Sequence, residues 1–348
     1  MTAARRLPAV RRPRLGFLGV GRIGQRRMSS ILERGVAEAV AVADLSAQAA
    51  SAAAGAAPGC RALSSLEALL EEDLDGVVIA TPSALHADQA VRALERGLAV
   101  FCEKPLGRDA GEARRVVEAA RAADRLLRVD LSYRRVAGMD RIRDLVQEGA
   151  LGKIFAVHLT FHNAYGPDRP WFYDVRLSGG GCLIDLGIHL VDLALWTLGF
   201  PAVDSVSASL CSAGRRASGR GEEAEDYAAA QLELSGGTVV QLACSWRLPA
   251  GQDCQIEAAF YGSRGGAALR NLRGSFQDFL VERFQGTRRE LLAGPPDAWG
   301  GRAAVDFAEA LSAGSLYDPE VETVATVQGV LDRIYEAAAP GGTGQALR

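Results

Sequence analysis

Between residue 14 and about residue 131, short apolar runs alternate with alanine-rich stretches whose apolar positions recur at helical spacing. The runs 15–20, 39–43, 76–80, 99–102 and 127–131 read as strands, and the stretches 25–34, 46–54, 65–70, 84–96 and 109–122 read as the helices that join them. Such alternation predicts an α/β unit with a doubly wound parallel sheet, which takes its ligand outside the carboxyl ends of the strands. After Arg135 the pattern changes. One helix, 139–148, precedes a long strand, 153–161, and later strands follow one another without helices between them. The segments 225–234 and 238–246 flank Ser235-Gly236-Gly237 and read as a hairpin, 252–261 and 203–211 add strands, and 212–223, rich in Gly, Arg and Ser, reads as a mobile loop. A helix over 321–339 closes the chain. The second half is thus predicted as α+β with one open, mostly antiparallel sheet. Two domains follow: 14–131 for a dinucleotide, and 132–348 for substrate binding and oligomerisation. An open sheet face predicts a homo-oligomer that covers it.

Composition changes this picture little. The 348 residues are 48% hydrophobic and 23% charged with a formal net charge of −3, which makes nucleic acid or an anionic membrane a poor partner. No apolar run approaches the ~20 residues of a membrane span. The six cysteines form no C-x-x-C pair, which argues against zinc and thioredoxin-like centres and suits reduced thiols in the cytoplasm. Arg5, Arg6, Arg11, Arg12 and Arg14 read as part of a disordered tail rather than an export signal or a phosphate-binding arm.

Candidate chemistry begins at Gly19-Val20-Gly21-Arg22-Ile23-Gly24, which sits between a predicted strand and helix. There glycines let backbone approach a pyrophosphate, and the helix start offers it free N–H groups. Asp44 ends the next strand at the spacing of a carboxylate that holds the adenosine ribose. With no lysine or arginine in the ten residues after it, the cofactor expected is NAD rather than NADP. Lys104 follows the fourth strand and would project where nicotinamide lies; a solvated surface lysine is the plainer alternative. Asp185, His189 and Asp192, spaced i, i+4, i+7 in an apolar helix, would be costly to bury without partners. The aspartate can orient the imidazole or bind substrate, and the imidazole can exchange a proton near neutrality. A satisfied core histidine competes with that reading, and a metal site is disfavoured because the helix offers too few nitrogen or sulfur ligands.

Taken in order, the glycine loop, Thr81-Pro82 with His86, Glu103-Lys104-Pro105, and Gly180-Gly181 followed by Asp185 and His189 make the chain resemble the Gfo/Idh/MocA oxidoreductases from Arg14 to the C-terminus. The resemblance implies a Rossmann domain paired with an open-sheet domain, with Lys104 on the reacting hydroxyl, His189 transferring its proton and Asp185 as the partner aspartate. It also implies that Thr81, Pro82 and His86 lie beneath the cofactor and that Glu103 lies near its nicotinamide end. The reaction expected is hydride transfer between nicotinamide and a secondary alcohol or ketone of a cyclitol, sugar or sugar derivative. An NAD-dependent glycosidase of the same fold and a non-catalytic sugar or NAD sensor are the alternatives. Substrate choice falls to the loop before the catalytic helix, where Asn163, Tyr165, Trp171 and Asp174 can read hydroxyls and stack on ring faces, unless they serve only hinge packing. Arg169 and Arg176 in the same loop leave room for an anionic group on the substrate.

Overall fold

The structure, a computed structural model, describes residues 12–339. Of the basic N-terminal cluster, Arg5, Arg6 and Arg11 lie outside the described residues, whereas Arg14 opens the first strand.

The first sheet contains β1 (Arg14–Leu18), β2 (Glu38–Ala43), β3 (Arg61–Leu63), β4 (Gly76–Ile79), β5 (Ala99–Cys102) and β6 (Leu127–Val129), in the parallel order β3-β2-β1-β4-β5-β6. Helices α1 (Arg22–Arg34), α2 (Ala47–Gly55), α3 (Leu66–Leu70), α4 (Ser83–Glu95) and α5 (Ala110–Ala123) make the crossovers. This is the expected doubly wound sheet with one more strand. The short edge strand β3 was not foreseen because its three residues, Arg-Ala-Leu, carry too little apolar pattern to register. Helix α1 starts three residues earlier than its apolar stripe suggests, since the glycine loop leads directly into its first turn.

After α6 (Met139–Gln147) comes β7 (Ile154–Asn163), the central strand of the second sheet. Next come α7 (Val175–Ser178), a π-helical turn (Leu183–Gly187) and α8 (Ile188–Leu198). The remaining strands are β8 (Val203–Ser212), β9 (Arg215–Ala217), β10 (Tyr227–Leu234), β11 (Thr238–Ser245), β12 (Cys254–Gly262), β13 (Gly265–Asn271), β14 (Phe279–Gln285) and β15 (Arg288–Ala293). Their order is β15-β14-β13-β12-β7-β11-β10-β8-β9; β7 and β11 run parallel and every other pair is antiparallel. The expected hairpin is β10–β11. The loop expected over 212–223 instead contains β9, which extends the sheet by pairing with β8. Strands β13 to β15 escaped the sequence reading because glycines at the start of β13 and charged residues through β14 and β15 break the alternation that marks a strand.

Two helices carry the chain back to the first sheet. Helix α9 (Arg302–Ser312) packs on α1 and β5, with the Phe307 ring 5.7 Å from that of Phe101. Helix α10 (Glu322–Ala337) lies against α5, α8 and β8, so one continuous apolar core runs from a face of the first sheet to the inner face of the second. The stretch Val175–Leu198 corrects the expectation that no apolar run is long enough to span a membrane: it has that length and composition, but 89% of its most apolar window is buried within the protein.

Asp192, in α8, has the partner that its burial requires. The π-helical turn alters the phase of the helix, and Asp192 faces Arg134, accepting from its Nε at 2.9 Å and its Nη2 at 2.5 Å. The Asp192 side chain is buried and that of Arg134 largely so, and the guanidinium also lies over the Trp196 ring at 5.6 Å. Removing one member of a buried pair strands the other's charge, so Asp192→Ala should lower unfolding free energy by about 3–5 kcal/mol in urea denaturation. A loss below about 1 kcal/mol would show that the pair does not hold α8 in place.

Candidate active site

The turn from β1 to α1 forms the first part of the site. Gly19 has φ of 81°, a left-handed conformation that disfavours a side chain, and a Cβ on Gly24 would land on the Gly19 carbonyl oxygen. Gly21 is the N-cap of α1 without a side-chain cap, and a Cβ there would meet nothing within 4 Å. The first-turn N–H groups, with exposed Arg22 and Ile23 beside them, therefore face open space of the kind a pyrophosphate needs. Asp44 sits across the turn, accepting from the Val20 N–H on Oδ2 and the Ser46 N–H on Oδ1, each at 2.8 Å. The carboxylate thus fixes the loop itself. Each of its oxygens keeps a lone pair for a ribose hydroxyl.

Thr81 and Pro82 lead into α4, with the Thr81 hydroxyl 2.6 Å from Gln89 Oε1. His86, expected against the cofactor, is 1% exposed with its ring nitrogens 2.7 Å from the carbonyl oxygens of Thr81 and Pro105. Burial pushes its pKa down against the two carbonyls, which favour the protonated ring, and a neutral imidazole can donate to only one of them. It therefore ties the Thr81 loop to the segment that follows Lys104, which is a structural use. Glu103 likewise turns inward, accepting from Arg27 Nε at 2.9 Å. Arg27 also binds Asp130 and the Gly300 carbonyl. Burial and the neighbouring Glu103 raise the Asp130 pKa well above the ordinary carboxyl value.

Lys104, just beyond β5, reaches the helix of the second half. Its Nζ donates to the Asp185 backbone oxygen and to Asp185 Oδ1, both at 2.7 Å. Two of its three N–H donors are spent there, which leaves one. The other oxygen of Asp185, Oδ2, accepts from the indole N–H of Trp246 at 2.9 Å. Asp185 makes no hydrogen bond to His189, so of the two roles considered for it, orienting the imidazole is not the one the structure shows. His189 is packed instead against Tyr133 and Phe161, with ring centroids 4.8 and 6.3 Å away, and its Nδ1 is enclosed without a hydrogen-bond partner. Burial first, then the charges of Lys104 and Arg27, hold its pKa well below the ordinary imidazole value. That shift favours the neutral ring at pH 7.

The segment carrying these groups is anchored by Glu225, at the start of the β10 hairpin. Its Oε2 accepts from the Gly181 N–H and its Oε1 from the Leu183 N–H, each at 2.9 Å, while the Tyr335 hydroxyl donates to Oε1 at 2.8 Å. These bonds cap the first free N–H groups of the helix that bears Asp185 and His189.

The substrate candidates divide. Asn163, at the end of β7, shares the inner face with Phe161, and its Oδ1 is buried without a partner. Tyr165 is exposed, and Trp171 stacks on Phe172 at 3.9 Å. Asp174 caps α7 through the Arg176 N–H and pairs with the Arg176 guanidinium, both at 3.0 Å, so its carboxylate serves its own helix. Sequence reasoning missed Trp246, Tyr133, Glu225 and the Arg27 cluster. Arg27 alone left a signal, because it lies on the apolar stripe of α1 with Gly24, Met28 and Ile31. An arginine there requires a buried carboxylate. The others are ordinary residues that only tertiary pairing brings to the site.

A dinucleotide-type turn, a lysine at a strand end beyond it, and an aspartate and histidine delivered by a helix of a second sheet define a nicotinamide-nucleotide-dependent oxidoreductase. The chain belongs to the Gfo/Idh/MocA family: residues 13–131 match the oxidoreductase family with NAD-binding Rossmann fold, and residues 139–268 match the GFO/IDH/MocA C-terminal domain. It is 34% identical to inositol 2-dehydrogenase of Rhizobium meliloti over 75% of this chain and 76% of that protein. To the rhizopine catabolism protein MocA of Rhizobium meliloti it is 31% identical over 77% and 85%. Among solved structures, GenD2 from gentamicin A biosynthesis in complex with NAD superposes with a TM-score of 0.78 at 25% identity, covering 98% of each chain. The protein is therefore a dehydrogenase or reductase that acts on CH–OH groups with NAD or NADP.

Because a methyl group at position 24 would collide with backbone of the glycine loop, Gly24→Ala should weaken NAD binding at least about tenfold, measured by calorimetric titration. Unchanged affinity would remove the loop from the cofactor site.

Proposed function

We propose that the protein transfers hydride between NAD and a ring carbon bearing a secondary hydroxyl, on a cyclitol, sugar or sugar derivative. The observation that carries this reading is a lysine ammonium with one uncommitted N–H at the carboxyl edge of the dinucleotide sheet, bound to a helix that also carries a buried histidine whose Nδ1 has no hydrogen-bond partner. In the oxidative direction Lys104 donates that N–H to the substrate oxygen and stabilises the charge that develops on it. His189, kept neutral, takes the hydroxyl proton, and in reduction it returns it. The nicotinamide ring, when bound, supplies the hydride acceptor or donor. Asp185 holds the Lys104 ammonium in place.

Asn163, with a buried oxygen in need of a donor, suits a second hydroxyl of the ring, and the exposed ring of Tyr165 and the half-buried ring of Trp171 suit its C–H surfaces. Similarity to an inositol 2-dehydrogenase supports the same substrate class. NAD is favoured over NADP because the Asp44 carboxylate would meet the extra phosphate as a like charge and the ten residues after it hold no lysine or arginine.

The outer face of the second sheet supports self-association. Ser207, Gln231, Gln241 and His158 align across four neighbouring strands as a row of polar side chains without a carboxylate, lysine or arginine, which a second copy could cover. Sedimentation should show a homo-oligomer at micromolar concentration; a monomer alone would contradict this.

The reading is tested by NADH absorbance with NAD and a panel of inositols, hexoses and their derivatives. Lys104→Ala and His189→Ala should each cost at least about 100-fold in kcat/KM with the responsive substrate, and variants that retain wild-type rates would contradict the assignment. The pH profile adds a sign. A depressed histidine pKa keeps the base form to lower pH, so the acid limb of the oxidation profile should fall below the ordinary value of ~6.5. A limb at or above that value would exclude His189 as the base.

A further inference from the structure

The Asp185 carboxylate has a different partner on each oxygen. Lys104 Nζ lies 2.7 Å from Oδ1, and the indole nitrogen of Trp246 lies 2.9 Å from Oδ2. An indole N–H can only donate, and Trp246 is 1% exposed, so this one donor is committed to Asp185. The ring itself is fixed on several sides. Tyr173 and Phe172 meet it in edge contacts at 5.4 and 6.4 Å, and its backbone N–H donates to the Asp226 carbonyl at 2.9 Å. Trp246 immediately follows β11, so the strand sets the position of the indole and the indole sets the rotation of the carboxylate.

That rotation matters because the ammonium of Lys104 follows Oδ1. With two of its N–H groups directed to Asp185, the direction of the third is determined by where the carboxylate stands. We propose that Trp246 is a positioning residue for hydride transfer: by holding Asp185 Oδ2 it aims the remaining N–H of Lys104 at the substrate oxygen. The proposal rests on the reading of Lys104 and Asp185 given above and extends it to a residue outside the catalytic group.

Trp246→Phe removes the N–H while keeping an aromatic ring against Tyr173 and Phe172. Its kcat should fall about tenfold, the loss expected when a shielded charged acceptor is left without its donor, while NAD affinity stays at the wild-type value and melting temperature falls only by the few degrees that the lost hydrogen bond and ring volume cost. The decisive measurement is a double-mutant cycle on kcat with Asp185→Asn. If the indole acts through the carboxylate, the effect of Trp246→Phe shrinks to less than about twofold in the Asp185→Asn background. Losses that multiply, a Trp246→Phe variant as fast as wild type, or a loss of kcat accompanied by weaker NAD binding would each overturn the proposal. An Asp185→Asn variant with wild-type kcat would overturn the reading of the Lys104–Asp185 pair itself, and Trp246 would lose its role with it.

Discussion

Everything at the site depends on one ion pair, Lys104 with Asp185, which joins the end of a strand in the first sheet to a helix of the second half of the chain. The two side chains are 19% and 15% exposed, shielded enough that the attraction is not fully screened and open enough for a substrate oxygen to approach. Because the pair consumes two of the three ammonium donors, it also decides how much of Lys104 is left for chemistry. A cofactor on the first sheet and a substrate held by the second can react only if the two halves are set at a fixed separation, and this pair spans the junction.

The helix that supplies Asp185 and His189 is restrained at both ends. Glu225 caps its beginning from the segment just before β10, and Arg134, from the segment after β6, clasps Asp192 further along. Between them the π-helical turn carries Asp185. Local departures of this kind from α geometry recur at functional sites because they re-aim a side chain without breaking the helix. Here the turn directs Asp185 to Lys104 and Trp246, and Asp192, three residues after His189, goes to a structural pair. The Arg27 cluster adds a second restraint, running from the helix behind the glycine loop to Glu103, the neighbour of Lys104. Its charge, with that of Lys104, helps keep His189 neutral.

Much of this was legible in the sequence wherever the signal was local. The glycine loop with Asp44, the β10–β11 hairpin and the placement of Lys104 beyond β5 follow from short-range pattern, because turn residues and strand-length apolar runs announce themselves. What was not legible is pairing across long separations. Trp246 lies sixty-one residues from Asp185, and Glu225 forty-two from Leu183. Nothing near either residue marks it as different from other strand residues. The same limit explains the misread roles. Spacing placed Asp185 one turn from His189 and left open whether it orients the imidazole or binds substrate, whereas a lysine from another sheet satisfies the carboxylate first. His86 and Asp174 have side chains suited to a ligand, but nearby backbone and side-chain partners occupy them.

The account stands on direct hydride transfer at a carbon whose oxygen is held by Lys104 and His189. The most direct measurement is the fate of deuterium placed on the reacting carbon of the polyol that reduces NAD, followed by NMR of the nicotinamide product. The account predicts that the label arrives at C4 of the nicotinamide, on one face of the ring, and that none appears in water. Label released to solvent, or reduced cofactor that carries no deuterium, would contradict it.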